Sequence, residues 1–69
     1  MDNAEIKQIN GQMYYFLKDG NNWSVYVWIE PFKKMHKLRD GITSLYNAKE
    51  FATNYAQRYT SNDYIQDRL

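Results

Sequence analysis

Two successive strand-like segments with apolar residues on both faces constrain the fold of this chain most strongly. Seven of its twelve aromatic residues fall between Tyr14 and Phe32. Successive side chains of a strand point to opposite faces of a sheet, and neither face of these two segments is polar. One face can be covered by the rest of the chain, and the other must meet solvent, a second copy or a partner.

Turn residues divide the first two thirds of the chain into short strands. Asn10-Gly11 is a two-residue hairpin signal, because both residues tolerate the positive φ of a type I′ turn. Asp19-Gly20 opens the next turn, and Pro31 marks a third one because proline cannot donate to a strand ladder. The predicted strands are 4–9, 12–18, 23–29 and 34–38, the last of which can resume at Ile42.

An amphipathic helix follows the strands. Apolar residues recur at spacings of three and four from Leu45 to Tyr59, and Ser44 or Thr43 can cap its start. A short helical turn is expected after Thr60. The predicted fold class is α+β: a three- to four-stranded antiparallel β-meander followed by one amphipathic helix packed on one sheet face, with a short C-terminal helical turn, in one small domain over residues 1–69.

The helix should cover the more aliphatic side of the sheet. Val25, Val27 and Ile29 pack well against a helix whose inner stripe contains three alanines, so we expect the aromatic side to be uncovered. The alternative is that the aromatic side is the core and that the side with Met13 and Tyr15 faces outward. The predicted partner-binding residues are Tyr14, Phe16, Tyr26, Trp28 and Phe32.

A basic hairpin stands out against the near-neutral net charge of +1. It consists of Lys33, Lys34, Lys37 and Arg39. These cations can contact phosphates or an acidic partner. Equally, a charged edge strand prevents strand-to-strand aggregation, and lysine serves that role well.

The residue inventory argues against an enzyme. The chain has one histidine and no cysteine, so a histidine-rich or thiolate metal site cannot form within one subunit. Its three glycines are isolated turn residues without a phosphate-cradling pattern. We therefore expect no catalytic residues, no metal site and no cofactor. No run approaches the ~18–20 apolar residues of a membrane span, so we expect no membrane partner. The lack of cysteine fits a cytoplasmic location, which we expect.

The part of the chain from Asp19 to Tyr59 resembles a known DNA-binding domain. The similarity rests on Asp19-Gly20, the aromatic strand 23–29, Lys33-Lys34, the segment 41–44 and the alanine-rich segment 48–52. This pattern is similar to the arm-type N-terminal domain of phage and transposon tyrosine integrases. The resemblance implies three antiparallel strands and a helix, with the sheet entering the major groove. It further implies that Tyr26 and Trp28 lie on the reading strand and that the basic hairpin meets phosphates.

Three functional hypotheses follow. The first is a non-catalytic protein-binding module, a small accessory or inhibitor protein of a phage or mobile element, which uses the aromatic sheet face. The second is a DNA-binding domain of the integrase-arm type, and the third is a homodimer whose interface uses the aromatic face. The near-neutral charge favours a protein partner over DNA, because DNA binders are usually strongly basic.

Overall fold

The fold is a four-stranded antiparallel sheet in the order β1-β2-β3-β4, followed by one helix. The computed structural model describes residues 4–58. The elements are β1 Ala4–Ile9, β2 Gln12–Asp19, β3 Asn22–Ile29, a 3₁₀ turn Glu30–Phe32, β4 Lys34–Ile42 and α1 Leu45–Arg58. This confirms the predicted α+β class and β-meander, and β4 runs on to Ile42 without interruption. The final turn expected after Thr60 lies outside the described residues.

The turns form where their residues predict them. Asn10 and Gly11 have φ values of 52° and 82°, so both central residues of the first hairpin loop are left-handed, as a type I′ turn requires. The third turn is closed by Lys33, whose φ is 52° and whose backbone N–H donates to the Glu30 carbonyl at 3.1 Å. These two turns fix where β2 and β4 begin.

Ser44, and not Thr43, caps the backbone at the start of α1. The Ser44 Oγ accepts a hydrogen bond from the Asn47 backbone N–H at 3.1 Å, which satisfies one of the orphan donors of the first turn. Thr43 contributes differently, since its Oγ1 accepts a bond from the Asn47 side-chain amide at 3.4 Å. The hydroxyl pair thereby fixes the point at which the chain leaves β4 and enters the helix.

The core lies between α1 and one sheet face. The helix buries Ala48, Ala52 and Ala56, whose small side chains let it lie close to the strands. On the sheet side the buried residues are Tyr14, Phe16, Val25, Val27 and Ile29, and Ile42 completes the cluster. Partly buried residues around it are Ile9, Trp23, Leu38, Leu45, Phe51 and Tyr55. The expectation that Val25, Val27 and Ile29 face the helix is confirmed.

The helix is also tied to the first hairpin by polar contacts. Asn10 donates its side-chain N–H to the Ala56 carbonyl at 3.0 Å, and Lys49 forms an ion pair with Glu5. Both contacts join residues that are far apart in sequence. They tie both halves of α1 to the first hairpin, Lys49 in its first half and Ala56 in its last turn, so the helix is held over one face of the sheet.

The grouping of Tyr14 and Phe16 with Tyr26 and Trp28 on one uncovered face is wrong. Tyr14 lies opposite Val27 and Phe16 lies opposite Val25, and directly opposed residues of an antiparallel pair share a face. Tyr14 and Phe16 are 0% exposed beneath the helix. The uncovered side of β2 instead carries the intervening residues, of which Tyr15 lies opposite Tyr26.

Candidate binding surface on the uncovered sheet face

All four strands contribute apolar side chains to the sheet face that points away from α1. The strand register places them there, since each lies opposite another member of the set or alternates with a core residue. We call this set the uncovered face; it comprises Ile6, Met13, Tyr15, Leu17, Tyr26, Trp28 and Met35. Ile6 is 56% exposed, Leu17 and Met35 are exposed, and the other four are half-buried against their neighbours.

A single cross-strand row runs through the middle of the uncovered face. Ile6 of β1 lies opposite Tyr15, Tyr15 lies opposite Tyr26, and Tyr26 lies opposite Lys37 of β4. Aromatic and β-branched residues that are directly opposed stabilise a sheet by about 0.2–1 kcal/mol per pair. The row therefore gives the face a rigid aromatic centre instead of a set of independent side chains.

The polar end of that row is locally neutralised. The Lys37 Nζ lies 5.9 Å from the centroid of the Tyr26 ring and 3.3 Å from the Asp40 carboxylate. The hydrogen bond to Asp40 raises the pKa of Lys37 above its ordinary value, and the nearby Tyr26, Asp40 and Asp19 act in the same direction. Lys37 is therefore a charged group with an acidic neighbour, and its ammonium adds a cation–π contact to the aromatic centre.

Trp28 has its one polar atom satisfied within the protein. Its Nε1 donates to one Glu30 carboxylate oxygen at 2.8 Å, and Lys33 donates to the other at 2.7 Å. The Lys33 hydrogen bond, followed by that of Trp28, lowers the pKa of Glu30 below its ordinary value. This contact fixes the orientation of the indole, so that its apolar surface is presented without an unpaired donor.

The predicted binding residues are divided between the two sides of the sheet. Tyr26 and Trp28 lie on the uncovered face, and Phe32 is exposed in the 3₁₀ turn beside β3 and β4. Tyr14 and Phe16 lie in the core, so no binding role is proposed for them. Residues of the uncovered face that were not among the predicted binding residues are Ile6, Met13, Tyr15, Leu17 and Met35. Met13, Tyr15 and Leu17 alternate along β2 with the buried Tyr14 and Phe16, and this alternation is the sequence signal that places them on the uncovered face.

The four cations of the basic hairpin do not form one patch. Lys33 is bound to Glu30, and Lys37 points to the uncovered face beside Asp40. Arg39 lies opposite Val25 and therefore on the helix side, where its guanidinium is 5.6 Å from the centroid of Phe51. A register shift between the pairs at Val25 and Tyr26 places Lys37 and Arg39 on opposite sides of the sheet.

A shallow open cleft lies beside the start of α1. It has a volume of about 330 Å³ and is lined by Arg39, Gly41, Ile42, Thr43, Asn47 and Phe51. Arg39 is its charged group, and that group is already held over the Phe51 ring. The Thr43 hydroxyl in its lining accepts a hydrogen bond from the Asn47 side-chain amide at 3.4 Å.

Residues 4–58 contain no group of three or more histidine, cysteine or acidic side chains placed to hold a metal ion. Within the same range, α1 is too short and too polar to cross a membrane. Comparisons with protein-family models, with curated proteins and with solved structures found no match to this chain.

Proposed function

We propose that this protein is a non-catalytic binding module that docks a protein partner on the uncovered face. The observation that supports the proposal is a sheet face to which every strand contributes apolar or aromatic side chains, while α1 occupies the opposite side. Large exposed apolar patches on small proteins mark interaction sites. We further propose that the module is a small accessory or inhibitor protein of a phage or mobile element.

The chemistry of the uncovered face suits a largely apolar protein surface. Tyrosine and tryptophan are enriched among the residues that dominate protein–protein binding energy, because they bury much area at little entropic cost. Tyr26 belongs to the cross-strand row through Tyr15, and Trp28 lies two residues along the same strand, so little side-chain ordering is required on binding. Trp28 is the expected anchor, since its ring is oriented by Glu30.

The charge distribution favours protein over DNA as the ligand. Among the strand residues of 4–58, Lys37 is the one cation whose register directs it to the uncovered face, and Asp40 accepts its hydrogen bond. Sheet-mediated DNA binding requires several cations around the reading surface to neutralise phosphates. Lys34 and Arg39, which the integrase resemblance would assign to phosphates, lie opposite core residues on the helix side.

A matched pair of alanine variants tests the proposal. Trp28→Ala removes the expected anchor, and Tyr46→Ala removes an aromatic side chain of α1 that is 71% exposed and lies outside the uncovered face. Proteins retained by the immobilised wild-type chain are identified, purified and titrated calorimetrically against all three chains. We expect Trp28→Ala to raise the dissociation constant at least 30-fold, which corresponds to a loss of about 2 kcal/mol of binding free energy. Tyr46→Ala should leave the dissociation constant unchanged.

Two results would overturn this proposal. One is a purified partner that binds the wild type and Trp28→Ala equally well while the variant remains folded by circular dichroism. The other is tight binding to a mixed-sequence duplex that weakens steeply with salt and is lost in the Lys33→Glu, Lys34→Glu double variant. That second result would support the integrase-arm function, because phosphate contacts give affinity a strong salt dependence.

A further inference from the structure

The two edges of the sheet differ in how well they are protected against pairing with another strand. The β4 edge carries three cations, Lys34, Lys37 and Arg39, and an irregular register against β3. Lysines and bulges are the features by which sheets block edge pairing. Within residues 4–58 the β1 edge is less protected: Ala4–Ile9 carries one lysine, Lys7, contains no proline or glycine, holds an unbroken register with β2, and includes the exposed Ile6.

We propose that β1 pairs with β1 of a second copy of this chain, which forms one continuous eight-stranded antiparallel sheet. The inference concerns the sheet edge and does not rest on the proposed function of the uncovered face. Its support comes from the direction of the β1 backbone groups and from the charge pattern of the strand.

The backbone geometry identifies which β1 residues are available for pairing. The two-residue loop at Asn10 and Gly11 closes with a hydrogen bond between Ile9 and Gln12. Hydrogen-bonded and non-hydrogen-bonded pairs alternate along an antiparallel ladder. The N–H and C=O groups of Glu5, Lys7 and Ile9 therefore point to β2. Those of Ala4, Ile6 and Gln8 point outward.

The charge pattern of β1 selects one register. With a two-fold axis at Ile6, the outward residues oppose one another and can form about six hydrogen bonds across the axis. Glu5 then lies opposite Lys7 of the second copy, twice by symmetry, at non-hydrogen-bonded positions where side chains are closest. An axis at Glu5 or at Lys7 would oppose two like charges, which destabilises a strand pair.

The side chains on both faces of β1 are compatible with this register. Glu5 is paired with Lys49 of α1, yet 42% of its side chain is exposed, so its carboxylate can accept a second cation. On the uncovered face, Ile6 would contact Ile6 of the second copy, and each isoleucine already lies opposite a Tyr15. The apolar row Tyr15–Ile6 would thus continue across the axis, which removes exposed apolar surface from water.

Sedimentation velocity on the whole chain tests the proposal. The chain mass is 8.4 kDa, and we expect a reversible shift to twice that value between micromolar and millimolar concentration, because an interface of one strand is small. Glu5→Lys and Lys7→Glu should each raise the dissociation constant of the dimer about tenfold. Each substitution replaces the two attractive Glu5–Lys7 pairs across the axis by two repulsive pairs. The double variant, which exchanges the two charges, should restore association.

Mixing the two single variants provides the sharpest result. Glu5→Lys and Lys7→Glu are complementary to each other in the proposed register, so an equimolar mixture should form a heterodimer at concentrations at which each variant alone is mainly monomeric. Lys34→Glu, a charge reversal beside the opposite edge, is the matched control and should dimerise as the wild type does. Circular dichroism reports whether each variant is folded.

Three outcomes would overturn the proposal. The first is a wild-type mass that stays at 8.4 kDa throughout the concentration range. The second is a dimer that is indifferent to both single charge reversals. The third is a dimer lost in a folded Trp28→Ala variant but retained in Glu5→Lys and Lys7→Glu, which would assign the interface to the uncovered face instead.

Discussion

The strongest test of the sheet register compares two neighbouring aromatic residues of β2. Phe16 is 0% exposed against α1, whereas Tyr15 is half-buried on the other face. Burying a side chain of this size contributes about 1.5–3 kcal/mol, and the cavity left by Phe16→Ala raises the total cost to about 3–5 kcal/mol. A domain of this size seldom has more than about 3–5 kcal/mol of stability, so Phe16→Ala should be largely unfolded in water.

Substitution by leucine makes the comparison measurable. We expect Phe16→Leu to cost roughly 1–2 kcal/mol and Tyr15→Leu to cost under about 1 kcal/mol, because Tyr15 loses mainly its cross-strand contact with Tyr26. Urea unfolding followed by tryptophan fluorescence measures both values. With a slope of about 1 kcal/mol per molar urea, Phe16→Leu should lower the midpoint by roughly 1–2 M. A larger decrease for Tyr15→Leu would refute the face assignment and, with it, the candidate binding surface.

Two further predictions concern the helix cap and Glu30. Ser44→Ala should lower the free energy of unfolding by about 1 kcal/mol in the same urea assay, because the Asn47 N–H loses its acceptor, whereas Thr43→Ala should cost less. Nuclear magnetic resonance titration should give Glu30 a pKa below its ordinary 4.5, and Lys33→Ala should return it toward that value. Because the folded-state pKa is lowered, the stabilisation by Glu30 is present above the ordinary pKa and is lost as the pH falls through the folded-state pKa.

The elements that the sequence predicts well are those set by local chemistry. Asn10-Gly11 is one of the few residue pairs that tolerate two left-handed positions, so it specifies its hairpin almost independently of the rest of the chain. The Ser44 cap and the alanine spacing likewise depend on residues within a few turns of each other. The bounds of β1, β2 and β3 and the start of the helix were predicted to within one residue, whereas β4 continues from the predicted end at Leu38 to Ile42.

The prediction of which aromatic residues share a sheet face was wrong. It grouped the residues of β2 and β3 by side-chain type, whereas the pairing register of the two strands determines the face. A turn centred on Gly20 and Asn21 places Asp19 opposite Asn22, which fixes Tyr14 opposite Val27 and hence on the aliphatic side. Both strands were recognised, and the turn between them already contained this information. Aromatic residues do not segregate from aliphatic ones in this core, since Tyr14 and Val27 are both 0% exposed in the cluster that contains the three alanines of α1.

The arrangement of the basic hairpin could not be predicted in the same way. An unbroken ladder would place Lys37 and Arg39 on one face, because they are two residues apart. The register shift against Val25 and Tyr26 adds a residue to β4 and sends them to opposite faces. A bulge of this kind depends on how β4 twists against β3, which no single residue of the segment specifies.

The small core and the weakly protected β1 edge, as seen in residues 4–58, have a common physical consequence. Among residues 4–58 the buried apolar cluster has nine members, and three of them are alanines that contribute little area. A chain with so little buried surface gains most from any contact that only the folded state can make. Pairing through β1 requires the hairpin to be formed and Glu5 to be in place, so dimerisation would stabilise the native state by mass action. The urea midpoint of the wild type should therefore rise with protein concentration, whereas that of Glu5→Lys should rise only at about tenfold higher concentration. If the midpoint is independent of concentration, the marginal stability of the fold is carried by the core alone.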